Sequence, residues 1–150
     1  MTTPDAEVNK IENELRFKIV EESWNSYELG DESTLKARVV LGKVIKGKDN
    51  EVFCDVTPPF FVVSAPNNKR GPQDNEPMPE EFSSIEKEAV KILSSDEKWN
   101  EYETVDVKFN IKIKYTVSNV TRLKGRFNKY GFPFYLITGV PAITINPIST

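Results

Sequence analysis

The sequence predicts a mainly β fold. Three observations carry that expectation: one long apolar/polar alternation, several shorter ones, and glycine- or proline-marked breaks between them. In residues 105–117, V-D-V-K-F-N-I-K-I-K-Y-T-V, every odd position is apolar and every even position polar. A period of two sustained this far is a strand with one buried and one wet face; a 3.6-residue period would scatter the same apolar groups around a helix. At about 3.3 Å per residue such a strand spans roughly 43 Å, about twice a usual strand or more. In a small domain it must bend, as strands do when they serve both layers of a closed or nearly closed barrel.

The other elements are read in chain order. Residues 1–14 read as a short helix or a flexible tail. Thr3 suits a cap and Pro4 a first turn, and Val8, Ile11 and Leu15 share a face. Leu15, Phe17 and Ile19 alternate with Arg16 and Lys18 as a first strand. Trp24 breaks the register, through a bulge near residues 22–25 or a division into two strands. After a turn at 30–33, Leu35, Ala37, Val39 and Leu41 form a second strand, prolonged by Val44 and Ile45. A turn at 47–50 leads to Val52, Cys54 and Val56 as a third.

Pro58 and Pro59 stop regular pairing, because neither donates to a ladder. The apolar run Phe60, Phe61, Val62, Val63 is expected to fill the core. The polar, proline-rich residues 67–79 are expected as an exposed loop. Phe82, Ile85, Ala89, Ile92 and Leu93 recur at helical spacing, and Ser83 with Glu86 reads as a capping box; together they predict an amphipathic helix over 83–94. Residues 95–98 add a helical turn carrying Trp99. The long strand follows, then a basic turn at 121–131 and a closing strand pair over 132–145.

Strand, strand, strand, helix, strand, strand is the element order of the OB-fold, a five-stranded Greek-key barrel. A β-sandwich fits the same elements. Residues 59–66 (P-F-F-V-V-S-A-P) also echo residues 133–141 (P-F-Y-L-I-T-G-V-P). The echo reads either as an internal duplication or as a coincidence between two aromatic strands ending in proline.

Composition narrows the function. The chain has 150 residues, 38% hydrophobic and 29% charged, enough for a single domain with a core. No run of 18 apolar residues exists to span a membrane. The acidic, polar start is unlike a secretory signal, so a cytoplasmic location is expected. Histidine is absent and Cys54 is the lone cysteine. That excludes an intramolecular disulfide, a Cys/His zinc cluster, and Ser-His-Asp or Cys-His catalysis. The adjacent carboxylates Glu21 and Glu22 would point to opposite faces of a strand, and Gly125 and Gly131 are too isolated for a phosphate loop. No catalytic, cofactor or metal residue is therefore expected, and the chain reads as a non-enzyme.

Charge is asymmetric. Residues 104–150 hold seven basic residues against Asp106, a net of +6, leaving −9 for residues 1–103 of the overall −3. Arg122, Lys124, Arg126 and Lys129 interleave with Phe127, Tyr130 and Phe132, while Lys108, Lys112 and Lys114 line the wet face of the long strand. Two functional expectations follow. One is a non-catalytic interaction domain whose aromatic and arginine side chains anchor a protein partner or a self-association. The other is single-stranded nucleic acid binding, with cations tracking phosphates and aromatics stacking on bases. Lys108, Lys112, Lys114, Arg122, Lys124, Arg126, Phe127, Lys129 and Tyr130 are the candidate binding residues for either.

Overall fold

Period-two patterning becomes strand along most of the described chain. The computed structural model describes residues 13–73 and 76–148, and 61% of it is strand against 8% helical. The strands are β1 (Asn13–Leu15), β2 (Phe17–Glu21), β3 (Asn25–Leu29), β4 (Thr34–Arg38), β5 (Leu41–Lys46), β6 (Val52–Val56), β7 (Phe60–Ser64), β8 (Lys87–Val90), β9 (Ile92–Asp96), β10 (Asn100–Thr104), β11 (Phe109–Phe127) and β12 (Pro133–Pro147). They form antiparallel sheets ordered β1-β5-β6, β7-β4-β3-β9 and β12-β11-β10-β2, the last joined by β8 along β11. None closes into a barrel; the layout is sandwich-like about one core. The OB-like order is not formed.

The chain builds one pairing plan twice. In the first half β1 lies on β5 with Leu15 opposite Val44; in the second β8 lies on β11 with Val90 opposite Val120. Asn25 and Tyr27 face Ala37 and Leu35, as Asn100 and Tyr102 face Ile113 and Ile111. β4–β5 and β6–β7 are the two arms of a broken hairpin, matched by the unbroken arms β11 and β12. Both hairpins shift register at the same place, between Leu41 and Lys43 and between Val117 and Asn119. β2 and β9 are exchanged: β2 completes the second half's sheet on β10, and β9 completes the first half's on β3.

A matching pattern marks the exchange. Glu22-x-Trp24-Asn25-x-Tyr27-Glu28 recurs 75 positions on as Glu97-x-Trp99-Asn100-x-Tyr102-Glu103. The buried Asn25 donates from Nδ2 to Tyr115 O (2.6 Å) and accepts from Lys98 N–H (2.8 Å). Asn100, equally buried, donates to Val39 O (2.9 Å) and accepts from Ser23 N–H (2.7 Å). The Tyr27 hydroxyl donates to Glu97 and accepts from Val117 N–H; that of Tyr102 donates to Glu22 and accepts from Leu41 N–H. Each half thus uses side chains to satisfy backbone groups of the other where no strand reaches them, as buried backbone demands. The relation is that of an isologous dimer interface held within one chain.

Several expectations are corrected. Residues 83–94 are not a helix: a 3-10 turn over Pro79–Ser84 runs into β8 and β9. The spacing of Ala89 and Leu93 is helical, but both are exposed, and the open edges of β11 and β3 draw the segment into sheet. Residues 95–98 likewise form no further helical turn. The long strand is displaced C-terminally, with Val105 and Val107 in an exposed bend and β11 running to Phe127. The closing pair is a single strand, β12. The echo between 59–66 and 133–141 is out of register, because Phe61 corresponds to Ile143, which sets Pro59 against Pro141. The reading of residues 1–14 lies outside the described residues up to position 12; Asn13 and Glu14 are strand.

Candidate functional site

The two hairpins differ at their tips. In the first, residues 47–51 close the turn between β5 and β6. In the second, β11 runs on past Arg122, opposite Tyr135, to Phe127, opposite Pro133, before the turn at 128–132. The longer tip carries most of the basic-aromatic segment. Two glycines hold it. Gly71 N–H donates to Gly131 O (2.8 Å), and a Cβ on Gly71 would lie 2.4 Å from the Phe127 ring. Gly131 has φ +82°, and a Cβ there would sit 2.7 Å from Gly71 O. The segment joining the two halves can lie this close only because both positions lack a side chain.

The candidate residues do not form one surface. Lys108 and Lys112 are exposed near the start of β11, and Lys114 lies over the Trp99 ring at 5.2 Å. Fourteen residues separate Lys112 from Arg126, roughly 45 Å along the strand. The Arg122 guanidinium lies 5.9 Å over the Phe127 ring, and its buried Nε has no hydrogen-bond partner among the described residues. Lys124 sits between Glu86 (3.2 Å) and Glu88 (3.7 Å), and the hydrogen bond to Glu86 raises its pKa. Arg126 pairs with Glu81 at 2.9 Å and holds that carboxyl below the usual range. Phe127 is half-buried under Gly71. Lys129 and Tyr130 are exposed, with the ammonium 5.2 Å over the ring.

Beside Lys129 and Tyr130 runs β7. The strand forms the edge of its sheet, and Phe60 and Val62 are 52% and 47% exposed. The expectation that this run fills the core is half right: Phe61 and Val63 pack against the core, with the Phe61 ring 6.1 Å from that of Tyr115. Between β7 and the tip lies a groove of about 600 Å³, lined by Phe61, Val63, Asn128, Lys129, Tyr130 and Phe132 among others. Arg70 closes one side, donating to Tyr130 O (3.0 Å) and lying 4.8 Å over the Phe132 ring. Sequence reasoning missed Phe61, Val63 and Arg70. The flanking Pro58, Pro59 and Pro66 were the available signal, since proline-bounded strands sit at edges.

Elsewhere, Val52, Phe109, Ile145 and Pro147 line a groove of about 520 Å³ at the related position of the other hairpin. A smaller recess of about 350 Å³ lies by Gly30 and Val90; its Asp31 carboxylate is taken by the Tyr135 hydroxyl. Among the described residues no cluster of three His, Cys, Asp or Glu could hold a metal ion, and no helix is long and apolar enough to cross a membrane. Compared with protein-family models, curated proteins and solved structures, the chain matches none.

Proposed function

We propose that the protein is a non-catalytic interaction module that engages a protein partner through the groove between β7 and the β11–β12 tip. One observation carries the reading: a strand edge unpaired among the described residues lies alongside exposed Tyr130 and the cation-capped Phe132. An apolar pocket beside aromatic and arginine anchors is the composition of interface hot spots. Burial of the Phe127 ring and pairing of Lys124 and Arg126 with glutamates leave the rest of the segment to support this surface. A photo-crosslinking residue placed at Tyr130 is expected to trap a defined protein that the same residue at Val140, exposed on β12, does not trap.

Single-stranded nucleic acid is the second reading, favoured by Lys129 stacked on the exposed Tyr130. Anisotropy with labelled DNA and RNA oligonucleotides at about 50 and 200 mM salt tests it. Binding that falls steeply with salt and is lost in a Lys129→Ser, Tyr130→Ala protein would replace the protein reading. No binding at the lower salt leaves the tip to a protein.

A further inference from the structure

We infer that β7 takes an acidic, β-extended peptide as an added strand, an inference that rests on the groove being the interaction site. Backbone geometry is the first ground. In an antiparallel ladder, alternate residues turn their N–H and C=O to opposite neighbours. Leu29 N–H donates to Ser33 O at 2.9 Å, so Leu35 and Ala37 turn toward β3, while Thr34, Lys36 and Arg38 turn toward β7. Their partners Ser64, Val62 and Phe60 take those bonds. Phe61 and Val63 therefore direct their N–H and C=O outward, into the groove. Strand addition uses such a row of main-chain groups for affinity and flanking pockets for selectivity.

The related edge of the second half is more heavily guarded. Ile148 N–H donates to Lys108 O at 2.9 Å, so even-numbered residues of β12 turn to β11 and odd-numbered ones outward. Pro141 and Pro147 fall on the outward row and remove two of its donors; Pro59, the counterpart of Pro141, removes one just before β7, whereas Ala65 stands where the second half has Pro147. β7 has no proline and no charged residue within it. Of two edges built to one plan, one has its outward row closed by proline at both ends and the other, β7, at one end only.

Charge selects the occupant. Lys129 lines the groove, Arg70 lies over its Phe132 ring and Lys36 stands opposite Val62 across the β4–β7 pair; none forms an ion pair among the described residues. A strand in which carboxylates alternate with apolar side chains would meet Lys129 and Arg70 at the tip while filling the groove beside Tyr130 and Phe132.

The test uses the full chain and labelled peptides of about nine residues that alternate Glu with Val or Phe. Controls are the Lys-for-Glu counterpart and the acidic peptide with a central proline. The acidic peptide is expected to bind at least about tenfold more tightly than either control. A Lys36→Ser, Arg70→Ser, Lys129→Ser protein is expected to close the gap with the basic peptide. Binding is expected to slow amide exchange at Phe61 and Val63 at least about tenfold, with Val62 unchanged. Val63→Pro removes an outward donor without touching a bond to β4, and is expected to fold and lose peptide binding; should it fail to fold, exchange in the unaltered protein decides. Equal binding of acidic and basic peptides, or no binding, overturns the inference. Protection at Ile143 and Ile145 in place of Phe61 and Val63 also overturns it and leaves a protein-binding module with its site elsewhere. Concentration-dependent protection of Phe61 and Val63 without peptide makes a second copy of the chain the occupant, and overturns it as well. Oligonucleotide binding at Tyr130 with no peptide binding overturns the groove reading itself.

Discussion

The first and second halves of the molecule share their seams and differ in their hairpins. Asn25 and Asn100, Tyr27 and Tyr102, and Glu22 and Glu97 make the same bonds in mirrored directions. The seam allows little else, because each asparagine satisfies one backbone carbonyl and one N–H that no strand reaches. The hairpins carry no such obligation. One is broken at 39–40 and 57–59 and turns quickly; the other is continuous and ends in a long tip pinned by Gly71. Shared features therefore mark what assembles the fold, and divergent features mark where a separate role can reside.

Removing a seam asparagine tests the likeness of the two halves most severely. Asn25→Ala and Asn100→Ala should each cost roughly 2–4 kcal/mol, since each leaves a buried carbonyl and a part-buried N–H unpaired. Chemical denaturation should give similar values for the two; a large inequality would mean that the seams are not equivalent. Gly131→Ala has no counterpart in the first half. It should cost roughly 1–3 kcal/mol through its positive φ and its approach to Gly71 O. Faster amide exchange confined to Gly71 and the tip would locate the damage. Tyr27→Phe should cost about 1–2 kcal/mol, and Tyr102→Phe about the same.

The phenols add a pH dependence. Burial, reinforced by the hydrogen bond to Glu97, pushes Tyr27 up to about 12 from an ordinary value near 10. Tyr102 is raised in the same way by burial and then by Glu22. The unfolded phenol loses its proton first, so the stabilisation is complete below about pH 10 and is lost as pH rises toward 12. Unfolding midpoints should fall from pH 9 upward, and less steeply in Tyr27→Phe. The smallest effect belongs to Lys124→Ser, whose glutamate partners are exposed and solvent-screened; its thermal midpoint should match the unaltered protein within error.

Alternation made the β class legible, as did the turns at 30–33 and 47–50 and the break at Trp24. The open, sandwich-like layout was not legible, because which strand pairs with which depends on an exchange between segments far apart in sequence. Residues 83–94 read as a helix because a strand boundary at Lys91 leaves apolar residues at helical intervals. The repeat was sought in the apolar run after Pro59, where many sequences satisfy a buried or edge strand. Its true signature was the polar set Glu, Trp, Asn, Tyr, which packing alone does not dictate. For the site, Lys129 and Tyr130 were legible from composition. The edge position of Phe61 and Val63 was not, since a one-residue change of parity decides which backbone groups are free.

Exchange of β2 and β9 also governs how the chain emerges during synthesis. The β3 edge over residues 26–29 has its own hairpin partner at once, but its other neighbour, Ile92–Asp96, is made some sixty residues later. At about 5–20 residues per second that is a delay of several seconds. Through that interval the carbonyls and amides destined for β9 and Asn100 face the ribosome's surroundings, and the first half cannot finish folding ahead of the second. The molecule is completed only when its last hairpin arrives, so a truncated product would be left with open strand edges at both seams.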